Sequence, residues 1–481
     1  MLPSVIVVLT GDGSSAFGSA LSDRLQSIGG GSEIRSSGVM ESWDGLTDVC
    51  RGADTVYLLS ALDLPSSPSK RRLRDFRAGV SRVLECCQEC GVGSLVFMSS
   101  SKVVSPGRKQ QQQGQGRGGK YDDGISVGGG VGVGLCDESL PYVARRENEA
   151  AHSIAMAEAE VLKASETQNL GKGVLYTCAL RPGVLYGTGE DEPLLRALSW
   201  VGWGLNRVTL RGLQDTKSDM VFFPNLIDAT VLAGTKLADG AAGAQAGGSA
   251  GWNARAGPVC SGQAYFVTDG RPCSLQTFVD GVLQGLDFST SKWLRLPVVF
   301  AVAIAWVAEL VCKMNLVKSR PAIRRSEVHE LVEGRSLSIA RARKDLGYEP
   351  RVDGQTSLRI IVQDLKKDGW GRHTFLVPGL GWWILVLGGI WLNIVAAFGI
   401  LCPAFLAPTR PFLLRFGLVF FRRLWIVRMV APLAVIAHVL EGLHAFSRAT
   451  EAGHRDTAPL WFIQTVILGY PSLRLLRRLL S

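Results

Sequence analysis

Val5-Ile6-Val7-Val8-Leu9-Thr10-Gly11-Asp12-Gly13-Ser14-Ser15-Ala16-Phe17-Gly18 is the stretch on which the fold turns. Val5 to Leu9 is a short β-rich apolar run. A glycine-bearing turn follows it, and a helical stretch from Ala20 to Ile28 comes next. A strand, a glycine turn and a helix start bring backbone N–H groups and the positive helix end against a pyrophosphate. Gly11, Gly13, Ser15 and Gly18 are the candidates for that cradle. The second strand ends Ile34-Arg35-Ser36-Ser37 without the carboxylate that normally holds an adenosine ribose. Arg35 with Ser36 is instead suited to a 2′-phosphate, which favours NADP over NAD.

Working outward, Thr55–Ser60 and Leu95–Ser99 read as further buried strands, with Arg72–Cys90 as the helix between them. Such alternation predicts an α/β fold: a parallel sheet wound by helices on both faces. Two stretches interrupt it. Residues 105–135 carry Gln110–Gln113 and a run of glycines, and residues 239–257 are Gly/Ala-rich. Both read as surface insertions unable to pack a core. Cys87-x-x-Cys90 has metal or redox spacing, but it has no second pair and reads as one face of an apolar helix. The remaining cysteines are scattered, which suits a reducing compartment.

Charge separates the chain into two parts. The 481 residues carry 52 Lys+Arg against 42 Asp+Glu, a net +10. From Arg372 onward there are eleven basic and three acidic residues, so +8 of the excess lies in the tail and only +2 in everything before it. A basic nucleic-acid-binding domain is therefore not expected in the first 371 residues. The tail reads as membrane. Phe375 to Pro408 has no charged residue, and Gly381–Cys402 is long enough for a hydrocarbon core of about 30 Å. Further apolar stretches run from about Leu424 to Phe446 and from about Pro459 to Leu475. Leu296–Met314, broken only by Glu309 and Lys313, reads as a helix lying on a membrane surface. No secretory signal is read at Val5–Leu9. The basic flanks of the tail are placed to meet anionic lipid head groups.

Several ordered segments carry a resemblance. Gly52-Ala53-Asp54-Thr55-Val56-Tyr57-Leu58-Leu59-Ser60-Ala61 and Leu95-Val96-Phe97-Met98-Ser99-Ser100-Ser101 are two of them. Ala179-Leu180-Arg181-Pro182-Gly183-Val184-Leu185-Tyr186-Gly187 is the strongest, and Gly262-Gln263-Ala264-Tyr265-Phe266-Val267-Thr268-Asp269-Gly270 follows it. In this order they resemble the 3β-hydroxysteroid dehydrogenase/isomerase branch of the extended short-chain dehydrogenases, over roughly residues 4–368. The resemblance implies a Rossmann-type doubly wound sheet with a small C-terminal substrate lobe, ahead of an α-helical transmembrane module. It implies domains at 1–371 and 376–476. NAD or NADP is the implied cofactor, touching Ser60, Ala61, Pro182 and Gly183 as well as the glycine turn. The implied substrate is a steroid or sterol 3-hydroxyl, with membrane lipid and sterol-pathway enzymes as partners. A multi-pass endoplasmic-reticulum protein with a cytosolic catalytic part is the implied setting.

In that family a Tyr phenolate takes the alcohol proton, a Lys four residues on supports it, and a Ser or Thr bonds the reacting oxygen. Ser100 holds the Ser position here. Ala150 and Ile154 fall where Tyr and Lys are expected, so Tyr142, with Arg146 four residues on, is the candidate base. Ser15 stands where the middle glycine of the turn is expected, and Phe76 stands where the family bears Asn. Three readings follow: a membrane-bound sterol dehydrogenase, a catalytically degenerate scaffold that binds sterol or nucleotide, or a dehydrogenase of another lipid or plant-type secondary alcohol. In the tail, His438-Val439-Leu440-Glu441-Gly442-Leu443-His444 and Ala458-Pro459-Leu460-Trp461-Phe462-Ile463-Gln464 resemble the transmembrane protein 254 family. His438, Glu441 and His444 share one helix face there and read as a polar contact between helices.

Overall fold

The computed structural model describes residues 4–11, 15–29, 31–38, 45–64, 68–105, 136–146, 148–168, 173–187, 208–210, 213, 216–246, 258–288, 294–313, 328, 334–368, 370, 375–398, 410–451 and 457–480. In chain order the first part contains β1 (Val5–Thr10), α1 (Ala16–Gly29), β2 (Glu33–Gly38), α2 (Leu46–Cys50), β3 (Thr55–Leu58), α3 (Lys70–Cys90), β4 (Ser94–Met98) and α4 (Glu149–Lys163). Next come β5 (Thr167–Gln168), β6 (Val174–Pro182), β7 (Val184–Tyr186), β8 (Val208–Leu210), β9 (Met220–Phe222), α5 (Phe223–Ala246), β10 (Gln263–Val267) and α6 (Leu275–Gly285). The remainder is β11 (Leu294–Leu296), α7 (Val298–Lys313), α8 (Ala340–Leu346), α9 (Gly354–Lys367), α10 (Leu380–Phe398), α11 (Arg410–Phe421), α12 (Leu424–Glu451), α13 (Ala458–Leu468) and α14 (Tyr470–Leu480).

The main sheet runs β2-β1-β3-β4-β6-β10, all parallel, with β5 antiparallel on β6. Its inner strands are uninterrupted apolar runs because both faces are covered. Val7, Leu9, Val56, Leu58, Leu95 and Phe97 point to one face, where Phe76 and Val80 of α3 and Ile154 and Ala155 of α4 meet them. Ile6, Val8, Tyr57, Val96 and Met98 point to the other, against Leu21 and Leu25 of α1 and Leu226 and Leu237 of α5. This alternation makes the sheet doubly wound, as the sequence predicts. Edge strand β2, by contrast, leaves Glu33 and Ser36 exposed.

α3 shows how local sequence sets an element. Ser69 caps its start by accepting the Arg72 N–H, and Gly91 ends it at φ 73° with its own N–H on the Cys87 carbonyl. Leu73, Phe76, Val80, Val83, Leu84 and Cys87 form its buried stripe, so Cys87 of the Cys-x-x-Cys pair is core, as expected. Burial pushes the Cys87 thiol well above its ordinary range, so it stays protonated and unreactive.

By contacts the chain forms two compact units. One is Met1–Asp191, Gly212–Phe278 and Val302–Arg359, which contains the main sheet; the other is Glu192–Arg211, Val279–Ala301 and Ile360–Ser481. The second unit therefore takes segments from inside the expected 1–371 domain, including the β8–β11 pair.

Two expectations are revised. The Gly/Ala-rich stretch from residue 239 is helical as far as Ala246, with Leu237 and Ala241 buried, because small residues let α5 lie close to the sheet. Residues 247–257 and 106–135 lie outside the described residues. The third apolar stretch is two helices, since Gly469 at φ 68° and ψ −139° breaks the chain between α13 and α14. Among the described residues one helix, α12, is long and apolar enough to cross a membrane. α10, α13 and the first part of α7 are shorter apolar helices.

Candidate functional site

β1 is flanked by β2 on one side and β3 on the other, so the chain reverses its direction of travel there. The crevice beyond the C-terminal ends of β1 and β3 is where open α/β sheets bind ligands. Gly11 closes β1 and is buried. Its N–H donates to Asp63 Oδ2 at 2.5 Å, and a Cβ on Gly11 would lie 2.8 Å from the Asp63 Cβ. Asp63 follows β3, so a carboxylate from one loop sits on the glycine turn of the other. Gly18, the last glycine of the motif, lies on α1 against Thr10; a Cβ there would come within 2.6 Å of the threonine methyl. Its role is close packing of helix on strand. Ser15 precedes α1 and its carbonyl accepts the Ser19 N–H. Gly13 lies outside the described residues.

Ser60 and Ala61 continue from β3 and are buried, and Ser60 Oγ has no hydrogen-bond partner. An orphaned buried hydroxyl beside the switch point fits a polar ligand that completes it. Two features thus suit a dinucleotide: Gly11 at the end of β1 with Gly18 packed on Thr10 from α1, and the waiting Ser60 hydroxyl. Asp63 is the group that a pyrophosphate would have to displace.

Arg35 does not stand ready for a 2′-phosphate. Its guanidinium pairs with Glu33 at 2.7 Å and donates to the carbonyls of Val49 (3.1 Å) and Arg51 (2.7 Å), where it secures the end of α2. Ser36, next to it on β2, is exposed. Pro182 closes β6, and Gly183 follows with its N–H on the Val267 carbonyl. A Cβ on Gly183 would lie 2.5 Å from the Asp219 carbonyl oxygen, so glycine is demanded by the backbone beside it.

At the end of β4 the three serines separate. Ser99 is buried and donates to Glu158 Oε2 at 2.5 Å. Ser100 is half-buried, and its Oγ accepts the Lys102 N–H at 3.3 Å, capping the 3-10 turn Ser101–Val103. That leaves the Ser100 hydroxyl hydrogen for another acceptor. Glu158, fully buried, is the hub of this region. Arg181 grips it through Nε at 3.1 Å to both oxygens and through Nη2 at 2.6 Å to Oε1. The Arg181 guanidinium also lies 5.7 Å from the ring centres of both Tyr142 and Phe266.

The Tyr142 hydroxyl donates to Glu158 Oε1 at 3.0 Å. Burial, then the Glu158 carboxylate, pushes the Tyr142 phenol up to about 12. A general base of this kind needs the opposite shift, so Tyr142 is corrected from candidate base to a donor in a structural network. It belongs to the loop before α4, bridging Val104, and Arg146 is exposed. α4 begins at Glu149 behind the Asn148 cap, with Ala150 as its second residue and Ile154 buried in the core. Neither side chain can take a proton or bind a ribose hydroxyl.

Asp63, Glu158 and Ser99 were not singled out by sequence reasoning. Glu158 had one available signal: a carboxylate on the buried stripe of α4, four residues beyond Ile154, requires a cation, and Arg181 lies within the quoted Ala179–Gly187 motif. Asp63 had none.

Residues 127–298 match the 3-beta hydroxysteroid dehydrogenase/isomerase family, and residues 381–478 match transmembrane protein 254. Short-chain dehydrogenase/reductase family 42E member 1 of Bos taurus is 30% identical over 302 residues, covering 61% of this chain and 65% of that protein, just short of two thirds. The decarboxylating sterol-4-alpha-carboxylate 3-dehydrogenase of Candida albicans is 26% identical over 60% of this chain and 70% of its own length. Among solved structures, a short-chain dehydrogenase/reductase superfamily protein from Agrobacterium tumefaciens with bound NAD aligns at a TM-score of 0.48 and 14% identity, over 76% of this chain and 99% of that one.

Proposed function

We propose that this chain, in which residues 127–298 match the 3-beta hydroxysteroid dehydrogenase/isomerase family and residues 381–478 match transmembrane protein 254, is a membrane-bound, NAD(P)-dependent oxidoreductase of a steroid or sterol 3-hydroxyl. The observation that carries the reading is the switch-point crevice at the C-terminal ends of β1 and β3, after which come Gly11 and α1 on one side and the unpartnered Ser60 hydroxyl on the other. Gly11, Ser15, Ser60, Ala61, Pro182 and Gly183 would hold the dinucleotide, which when bound supplies the hydride acceptor. Ser100 would donate its free hydroxyl hydrogen to the reacting oxygen. The sterol assignment rests on the names of the relatives, and a multi-pass endoplasmic-reticulum setting with a cytosolic sheet domain on the membrane module.

A specific observation favours a second reading, a degenerate member that binds nucleotide or sterol and tethers sterol-pathway enzymes at the membrane. Tyr142 is held protonated on Glu158, and Ala150 and Ile154 occupy the positions of the missing pair. One assay separates the two. Full-length protein in detergent is given a 4α-carboxysterol with NAD⁺ or NADP⁺, and formation of reduced nucleotide is followed by absorbance alongside calorimetric nucleotide binding. Turnover supports the dehydrogenase. Binding without turnover supports the scaffold, and neither binding nor turnover sinks both.

A further inference from the structure

At the N-terminal ends of α3 and α4 lies a cleft of about 530 Å³. Lys70, Arg74, Arg77 and Arg145 line it, with Glu149 and His152. The one carboxylate is already held by Arg145 at 2.8 Å. Arg74 and Arg77 have no ion-pair partner among the described residues. Their cationic neighbour Arg71 does have one, Asp75, on an adjacent part of the helix. The cleft thus carries a positive excess that no carboxylate among the described residues balances.

The backbone adds to this field. Lys70 is the first residue of α3 and Glu149 the first of α4, so the positive ends of two helices open onto the same cleft. The first turn of α3 has no acid and carries Lys70, Arg71 and Arg72, an arrangement that opposes the helix dipole. His152 Nδ1 is engaged with the Val143 carbonyl at 2.9 Å, which leaves Nε2 for the cleft. Among the described residues no Trp, Tyr or Phe lines it.

Lys70, Arg74 and Arg77 lie at i, i+4 and i+7, a span of about 10 Å along the helix. One phosphate cannot reach all three. Guanidinium forks match phosphate oxygens two at a time. We propose that this cleft is a second ligand site, separate from the switch-point crevice, that takes a molecule bearing two or more phosphate groups. A phosphoinositide headgroup and a soluble inositol polyphosphate share that chemistry.

The test uses the full-length protein in uncharged detergent. Two probes are titrated by calorimetry: soluble inositol trisphosphate, and a short-chain phosphatidylinositol bisphosphate. Arg74→Gln with Arg77→Gln is expected to weaken binding at least tenfold, with unchanged thermal unfolding. The control pair Arg71→Gln with Arg82→Gln removes the same charge from residues outside the cleft, and is expected to leave affinity within twofold. Tenfold tighter binding of the lipid than of the soluble headgroup marks a membrane ligand; equal binding marks a free one. Equal loss in the control pair, or no binding of either probe to the folded protein, overturns the proposal. Nucleotide binding at the crevice is measured on the same variants, and its retention keeps this result distinct from the function proposed above.

Discussion

Asp63 places a negative charge where a nucleotide would bring two more. Its Oδ2 accepts the Gly11 N–H at 2.5 Å across the crevice. A bound pyrophosphate must compete for that donor and also lies beside a like charge. Asp63→Asn keeps the shape and removes the charge, so NAD⁺ or NADP⁺ should bind about tenfold more tightly, equivalent to about 1.4 kcal/mol. Calorimetry in detergent reads this directly, and unchanged affinity would remove Asp63 from the nucleotide site. A second buried carboxylate sets a pH dependence. Burial lifts Asp219 to about 7; the Leu337 N–H at 2.5 Å opposes the shift and the Asp269 carboxylate adds to it. In the unfolded chain an Asp titrates near pH 4, so from about pH 4 to 7 the unfolded state releases a proton that the folded state keeps. This contribution is complete below about pH 4 and is lost as pH rises through about 7, an order of 2–4 kcal/mol in all. Asp219→Asn should flatten that slope, raising the thermal midpoint at pH 8 while leaving it nearly unchanged at pH 4.5.

Among the elements, β6 and α4 are joined through a buried ion pair. Arg181 and Glu158 are 4% and 0% exposed in their side chains, and Ser99 and Tyr142 complete the carboxylate's bonds. Breaking a buried pair from one side leaves an uncompensated charge, at a cost of about 3–5 kcal/mol. Glu158→Gln should therefore lower the unfolding midpoint steeply, and Ser99→Ala only by about 1 kcal/mol. Tyr142→Phe separates structure from chemistry. Loss of a general base costs about 10²–10⁴ in rate, whereas a mere donor to Glu158 leaves any turnover within about threefold. A hundredfold loss in this variant, with its fold intact, would restore Tyr142 as the base. The sheet was legible in the sequence because inner strands such as Thr55–Leu58 and Ser94–Met98 are buried on both faces and so read as unbroken apolar runs. The register of α4 came from the family resemblance, which places Ala150 and Ile154 where Tyr and Lys are expected, and both lie on α4. Contacts such as Gly11 with Asp63 and Ser99 with Glu158 were not legible. They join residues more than fifty positions apart, and nothing local marks them. α5 misled for a different reason. Its Gly/Ala composition suggests a chain unable to pack, yet small residues are what a helix lying close on a sheet requires, as Gly234 against the Tyr57 ring shows.

For the molecule as a whole, the net charge of +10 describes neither part well. Most of the excess flanks apolar helices after residue 371, and the sheet domain before it is nearly neutral while holding one strongly basic cleft. At 28 residues α12 is about 42 Å long, more than a hydrocarbon core of about 30 Å needs. Leu433, Val435, Ile436, Leu440 and Leu443 are exposed along it. Water would make that surface costly, and acyl chains would not. Ile436 and Leu440 lie near its middle, one turn apart, so Ile436→Arg with Leu440→Arg puts two charges at the depth where each costs about 2.5–3.5 kcal/mol to insert. A cysteine placed at Leu433 should be shielded from a membrane-impermeant maleimide in native membranes, and should become labelled once both arginines are present. Labelling of that cysteine without the arginines, at the rate of a water-exposed position, would show that α12 does not cross the bilayer.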